Sequence, residues 1–501
     1  MTYPLSYYSI TRAVQIVRFV LMGCAFLLPA RVVVAVSSVE EINQRRQTLG
    51  SNYHEKLDEL AQWCQQRQLN KQAAMMRHWL PVRQPGKIYL YLPGEGPSPA
   101  KVVESDSPDL VQWRERFWKL REDQAQALFE IAQIAVESQH PALAMGLVHE
   151  AVHEDGDHED ARLLIGYRRY KGGWYTAESA RRMRRGQVWH EKYGWLLRQH
   201  VQRYEAGQRY RNGRWMSAED DAEIGRNMRH GWKVSTEHYL IRTNHSLEEG
   251  VLLATRLEQL HNLWQQLFLG YMASSQQIAE MFRTHGRLRL QEPQHRVVYF
   301  ADREQYNDYL RPAQPKIDIT LGIYFDRERT TFFFAGDEQR SGTLYHEATH
   351  QLFQESRPVA PEVGRQANFW IIEGIACYME SLQPHPGYFT LGGASTGRMP
   401  AARQRALEDD FYIPLSELVS YGMRTFQQDP RLPMLYSQSA GLSTFLMHGE
   451  QGRYRDAVVD YLRLVYTGKA NRASLSTLAG KRYSRLDEEY HDFLKSSDSD
   501  H

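Results

Sequence analysis

The chain has 501 residues, 42% of them hydrophobic and 12% aromatic, which is enough for two or three domains with real cores and excludes a disordered protein. Lys+Arg number 61 against 60 Asp+Glu, so the net charge of +1 carries no electrostatic footprint for a phosphate backbone and argues against nucleic acid as a partner. The local basic run Arg181-Arg182-Met183-Arg184-Arg185 has acidic residues around it and reads as a solvated helix face.

At the N-terminus Arg12 and Arg18 precede the apolar run Phe19–Leu28 and a small-residue region ending near Ala35. That is the layout of a secretory signal peptide, so residues 1–36 are expected to be a signal peptide or N-terminal anchor and the protein to be exported, periplasmic, cell-surface or secreted. Arg18 and Arg31 bracket only about 12 apolar residues, short of the roughly 20 a membrane span needs, so contact with a membrane is expected only if this segment is retained. Leu21-Met-Gly-Cys24 resembles a lipoprotein cleavage box, with Met22 a poor fit. Cysteines at 24, 64 and 377 form no disulfide framework, and stability must come from packing.

Residues 37–139 read as a helical region with a short strand. A helical pattern runs from Val39 to about Leu80, Lys87–Leu92 is the strand, and the Pro/Gly-rich stretch from Pro93 to Pro99 is a linker. Residues 140–230 read as repeat-like, with short helices at Pro141–Ala151 and Asp160–Ile165. Within them Gly166, Arg168, Gly172, Trp174, Thr176, Ala177 and Glu178 recur as Gly207, Arg209, Gly213, Trp215, Ser217, Ala218 and Glu219, all at an offset of 41. A fixed offset over so many positions marks a duplicated Gly-x-Trp unit, in which each Trp is expected to fill a small core and Thr176 or Ser217 to cap the following helix. Scaffold or spacer is the first reading of this half; a docking surface for a protein partner is the other.

From residue 231 to about 480 the pattern is strand, helix, strand, hairpin, helix, an α+β domain, followed by a C-terminal helix end and tail over 481–501. His238–Thr243 is the first strand, and Ser246-Leu-Glu-Glu249 is a capping box opening a helix toward Phe268. Arg296–Phe300 is the next strand, a helix begins near Arg303, and Ile319–Phe325 and Thr330–Ala335 form a hairpin about the turn Asp326–Arg329. The Phe332-Phe-Phe334 run reads as core, with a cleft edge as the competing reading. Gln351 and Phe353 read as packing.

His346-Glu-Ala-Thr-His350 lies where Leu344, Ala348 and Leu352 recur every four residues, so the segment is expected to be helical. Histidines at i and i+4 then share a face one turn apart, the spacing that puts two imidazoles on one zinc, and Glu347 beside them can take a proton from a water. After Pro358 and Pro361 a second helix, Trp370–Glu380, supplies Glu373 as a carboxylate able to complete a three-ligand open site.

His346-Glu-x-x-His350-Gln351-x-Phe353 followed by Trp370-x-x-Glu373-Gly374-x-Ala376-x-Tyr378-x-Glu380 resembles the paired zinc-binding helices of the gluzincin metallopeptidases, the thermolysin-like and aminopeptidase-like superfamily. It looks closer still to an uncharacterised gluzincin-like family of exported bacterial proteins. The resemblance implies a thermolysin-like zincin domain binding one Zn2+ per chain, with His346, His350 and Glu373 as ligands and Glu347 as general base. The detailed likeness spans about 40 residues. Two features depart from the aminopeptidases: 22 residues separate His350 from Glu373, and no Gly-Ala-Met-Glu-Asn-like segment precedes the motif to bind a substrate amino terminus.

Leu435–Leu446 reads as a helix, and its Tyr436-x-Gln438 resembles the gluzincin segment that places a tyrosine hydroxyl at the site, where it would stabilise an oxyanion. Glu380, two turns after Glu373, shares its face and can receive the second N–H of a ligand histidine, a surface ion pair being the other reading. Cys377 reads as a small buried residue rather than a further ligand. The expected function is zinc-dependent hydrolysis of peptide bonds in a peptide or protein substrate. The competing class is an inactive gluzincin-like protein that works as a binding or scaffold module through its helical half; a zinc hydrolase of a non-peptide amide is a further enzymatic alternative.

Overall fold

The computed structural model describes residues 37–97, 107–286, 294–336 and 341–496; the expected signal segment lies outside them. Helix predominates, and among the described residues the strands fall into one five-stranded sheet and four smaller ones, consistent with the α+β class. Among the described residues no helix is long and apolar enough to cross a membrane.

Ser38 opens α1 (Val39–Gln66) with a capping box to Glu41. The helical pattern expected to reach Leu80 is interrupted after Gln66, where Gln68 takes a φ of 59° before α2 (Asn70–Arg77). Strands β1 (Lys87–Leu90) and β2 (Gly96–Pro97) follow, so the expected linker contributes a short strand. Then come α3 (Pro108–Glu137), with Ser107 as its cap and Pro108 in its first turn, α4 (Pro141–Glu154) and α5 (Glu159–Leu164). Fully buried Ala132, Ala135, Ala144 and Ala151 let α3 and α4 pack closely beneath Leu128, Leu147 and Val148.

The next segment is three hairpins, each leading into a helix. They are β3 (Arg168–Tyr170) and β4 (Gly173–Tyr175) before α6 (Ala177–Arg184), β5 (Gln187–His190) and β6 (Gly194–Leu197) before α7 (Val201–Glu205), and β7 (Gln208–Arg211) and β8 (Arg214–Ser217) before α8 (Ala218–Gly225). Gly166, Gly186 and Gly207 precede the three hairpins at φ of 95°, 78° and 81°, the left-handed backbone that glycine accepts without strain. The middle hairpin escapes the 41-residue comparison because its turn is longer and its Trp195 follows Gly194 directly. Thr176 and Ser217 accept the N–H groups of Ser179 and Asp220 at 3.2 and 3.0 Å. Trp174 is buried, whereas Trp215 is half-exposed and packs on His200 and Tyr204 with Arg203 stacked 3.8 Å from its ring centre.

Strands β9 (Trp232–Ser235) and β10 (Tyr239–Thr243), helices α9 (Leu247–Met272) and α10 (Ser275–Thr284), strand β11 (His295–Phe300), helix α11 (Arg303–Leu310) and strands β12 (Ile323–Phe325) and β13 (Thr330–Phe334) follow. The sheet order is β12-β13-β11-β10-β9, with β10, β11 and β13 parallel and both outer strands antiparallel. The first hairpin arm is shorter than expected: Ile317–Ile319 is a 3-10 turn, and Gly322 is wedged between the Phe333 ring and Glu347. Phe332, Phe333 and Phe334 are core, at 2% exposure or less, and β12 rather than β13 forms the sheet edge.

Helices α12 (Ser341–Glu355) and α13 (Phe369–Met379) carry the motif residues. Leu344, Ala348, Leu352 and Phe353 of α12 share one buried core with Leu257, Leu260 and Trp264 of α9, where the Phe353 and Trp264 rings meet edge to face at 5.1 Å. Strands β14 (Gln383–His385) and β15 (Tyr388–Gly392) come next, and β15 pairs with the distant β1 from Lys87↔Gly392 to Leu90↔Phe389. Seven helices close the chain: α14 (Met399–Leu407), α15 (Leu415–Leu418), α16 (Met423–Gln427), α17 (Leu432–Gly452), α18 (Arg455–Tyr466), α19 (Ser474–Ala479) and α20 (Tyr483–Ser496).

Candidate metal centre

His346 and His350 stand one turn apart on α12, and their Nε2 atoms lie 3.1 Å from each other. Glu373 on α13 brings Oε2 to 3.5 Å from His346 Nε2 and 3.7 Å from His350 Nε2. Three donors bonded to one ion at about 2.0–2.1 Å in a tetrahedron are separated by roughly 3.4 Å, so these atoms have the spacing of one tetrahedral face. Nitrogen, nitrogen and carboxylate oxygen suit zinc, and the group can hold a metal ion.

The side chains behind this face are arranged in series. Glu380 Oε1 accepts from His346 Nδ1 at 2.8 Å, which leaves Nε2 as the lone-pair nitrogen turned toward Glu373. Arg398 Nε and Nη2 donate to Glu380 at 2.9 and 2.8 Å, and the same guanidinium lies 5.4 Å from the ring centre of Tyr436. Cys377 is buried, with Sγ 3.9 Å from His346 Nδ1. It belongs to a grouping with His346 and Glu380 that uses the same imidazole.

Charges in so enclosed a place perturb one another. Burial opposes ionisation of Glu373, but His350 and His346 outweigh it and hold its carboxyl well below the usual range. Burial likewise disfavours the charged form of His346, yet Cys377, Glu373 and Glu380 together raise it. Glu347 is pushed up, chiefly by burial, with Glu373 adding to the shift and the two histidines opposing it. A carboxyl raised in this way beside two metal-type ligands is suited to taking and returning a proton.

Glu347 faces β12, where the main-chain N–H of Tyr324 donates to its Oε2 at 3.0 Å. Tyr436, in the first turns of α17, lies beside Glu373; burial and that carboxylate raise its phenol, so its hydroxyl keeps its proton for donation. Its approach depends on Gly374: a Cβ there would lie 2.6 Å from the Ser439 carbonyl oxygen and 2.6 Å from Ser443 Oγ, both on α17. Gln351 and Phe353 are fully buried, Gln351 accepting from Thr331 Oγ1 at 2.8 Å.

Thus His346, Glu347, His350, Glu373, Glu380 and Tyr436 converge on one place. Arg398 and Tyr324 join them unannounced, because no spacing rule points to an arginine 18 residues beyond its carboxylate or to a main-chain N–H. A separate grouping, His238, Glu258 and His261, also meets the distance condition. Its two imidazoles are stacked face to face at 3.7 Å, and Glu258 already accepts from the ring and the main chain of His238 at 2.7 Å each, a poorer open site. No protein-family model matches the chain, and no curated protein matches it.

Proposed function

We propose that residues 231–480 form a thermolysin-like zincin domain of the gluzincin class and that the chain is an exported, zinc-dependent peptide-bond hydrolase. The observation that carries the reading is the convergence of His346, His350 and Glu373 at 3.1–3.7 Å with a proton-accepting Glu347 adjacent. A zinc ion on these three residues would supply Lewis-acid polarisation of the scissile carbonyl and of the attacking water. Glu347 takes the water's proton and later delivers it to the leaving amine. The Tyr436 hydroxyl donates to the oxyanion as it forms. Glu380 and Arg398 hold His346 in the tautomer that leaves Nε2 free.

A peptide rather than a compact amide is favoured by β12, a sheet edge alongside Glu347 to which an extended chain can add as a strand. We read the first and third hairpin-helix segments as two copies of a Gly-x-Trp unit, with the middle hairpin between them, that space the catalytic half or dock a protein partner. The test pairs elemental analysis with a proteolysis assay. Wild type should carry about one zinc and His350→Ala none, while Glu347→Gln should keep the metal and lose about 10²–10⁴-fold in turnover. Undiminished hydrolysis by Glu347→Gln would refute the assignment.

A further inference from the structure

A cavity of about 290 Å³ opens between the helical N-terminal region and the helices that follow the metal-ligand pair. Arg46 of α1, Arg83 just before β1, Lys87 at the start of β1, and Arg455 at the start of α18 all line it, and among the described residues no Asp or Glu does. Glu150 of α4 stands behind this wall with both oxygens occupied, accepting from Arg46 Nη2 at 2.5 Å and from Arg83 Nη2 at 2.6 Å. Among the described residues no carboxylate lies at ion-pair distance from Arg455, although the neighbouring Asp456 favours its charge; its Nε and Nη2 donate to the main-chain oxygen of Met447 at 3.2 and 3.1 Å. Four cations therefore face one carboxylate, and His448 beside them does not add to or offset the charge, since burial and Arg455 lower its pKa to about 3 and leave it neutral.

Gathering guanidinium groups away from water costs free energy unless anions meet them. Burial weakens the charged forms of Arg46 and Arg455, and neighbouring guanidinium groups add to it, Arg83 acting on Arg46 and Arg46 on Arg455. We propose that this cavity binds a small multivalent oxyanion of the phosphate class, such as pyrophosphate, gripped by Arg455, Lys87 and the outward faces of Arg46 and Arg83. Forked guanidinium donors match tetrahedral oxyanions, and a ligand of more than one negative charge suits an excess of three positive charges. The anion bridges α1, β1 and α18. Through His448, whose Nε2 lies 2.8 Å from the Tyr378 hydroxyl, it also touches the helix that carries Glu373.

The test is isothermal titration of the full chain at low ionic strength with pyrophosphate, inorganic phosphate, sulfate and citrate. Saturable one-to-one binding, tightest for pyrophosphate, is expected in wild type and in His350→Ala, which removes a metal ligand and so excludes chelation as the source of the heat. Affinity should fall about tenfold or more in Arg455→Gln and severalfold in Lys87→Ala, as loss of a charge-assisted hydrogen bond predicts. The half-buried Lys87 keeps the test decisive if Arg455→Gln does not fold. The proposal is overturned by absence of saturable binding at millimolar pyrophosphate, by its loss in His350→Ala, by tighter binding of citrate, or by unchanged affinity in Lys87→Ala.

Discussion

Replacing Gly374 with alanine sets two effects against each other, and the sign of the outcome decides whether close helix packing builds the site. Gly374 lies inside α13, where alanine is favoured over glycine by about 1 kcal/mol on helix propensity alone. The new methyl would meet the Ser439 carbonyl oxygen at 2.6 Å, when ordinary contact begins at 3.4 Å. Ser443 Oγ can rotate away, but the carbonyl belongs to the backbone of α17 and cannot, so the two helices must part by most of an ångström. Overpacking of this kind costs about 1–3 kcal/mol, and with a rigid obstacle the upper half applies, leaving a net loss of roughly 1–2 kcal/mol. Urea unfolding monitored by tryptophan fluorescence reads this as a lower midpoint. Gly50→Ala is the control: a Cβ there meets nothing within 4 Å in α1, and that variant should gain about 1 kcal/mol. Because Tyr436 precedes Ser439 by one turn, Gly374→Ala should also lower turnover while zinc content holds. A Gly374→Ala protein as stable as wild type, or more so, would refute the packing argument.

Glu380→Gln should weaken zinc binding about 10–100-fold in competition with a chelator, since His346 Nδ1 loses its charged acceptor and Arg398 its partner; an unaltered affinity would show that this pair does not tune the site. Tyr436→Phe should reduce turnover about 10²–10³-fold at full zinc occupancy if the hydroxyl donates to the oxyanion, and an equal turnover would remove it from the mechanism. Acid should destabilise the fold. Burial lowers the pKa values of His149 and His448 to about 3 and of His153 to about 4, against 6.5 unperturbed. The unfolded chain therefore binds the protons first, and stability is full above pH 6.5 and is lost as pH falls toward 4 and 3. His153 stacks on Tyr91 at 4.4 Å, so His153→Phe keeps an aromatic ring without the proton site and should flatten part of the acid limb in melting curves at stepped pH. A limb as steep as wild type would show that His153 does not contribute.

Features confined to a few turns of one element were legible in the amino-acid sequence. The one-turn separation of His346 and His350 follows from 3.6 residues per turn, and Glu380 falls on the face of Glu373 for the same reason. The caps at Ser38, Thr176, Ser217 and Ser246 are local too, each a side chain meeting an N–H three residues on. Buried runs such as Phe332–Phe334 and the strands of the central sheet carry their signal in their own residue types. Element ends were less legible, because tertiary contacts move them: Gly322 against Phe333 and Glu347 shortens one hairpin arm, and Gln68 in a left-handed conformation divides the first helix.

Which distant segments meet is settled by packing. Pairing of β1 with β15 joins residues about 300 apart, and nothing in either strand names its partner, since main-chain hydrogen bonds are the same for any pair. Arg398 reaches Glu380 and Tyr324 meets Glu347 across separate elements, and Tyr436 approaches Glu373 because α13 and α17 can close on Gly374. The arginines of the anion cavity come from three separate parts of the chain and acquire a common purpose only when packing puts them on one wall. Helix geometry is a property of neighbouring residues and can be read in order; convergence of side chains is a property of packed surfaces, whose complementarity is spread over the whole chain.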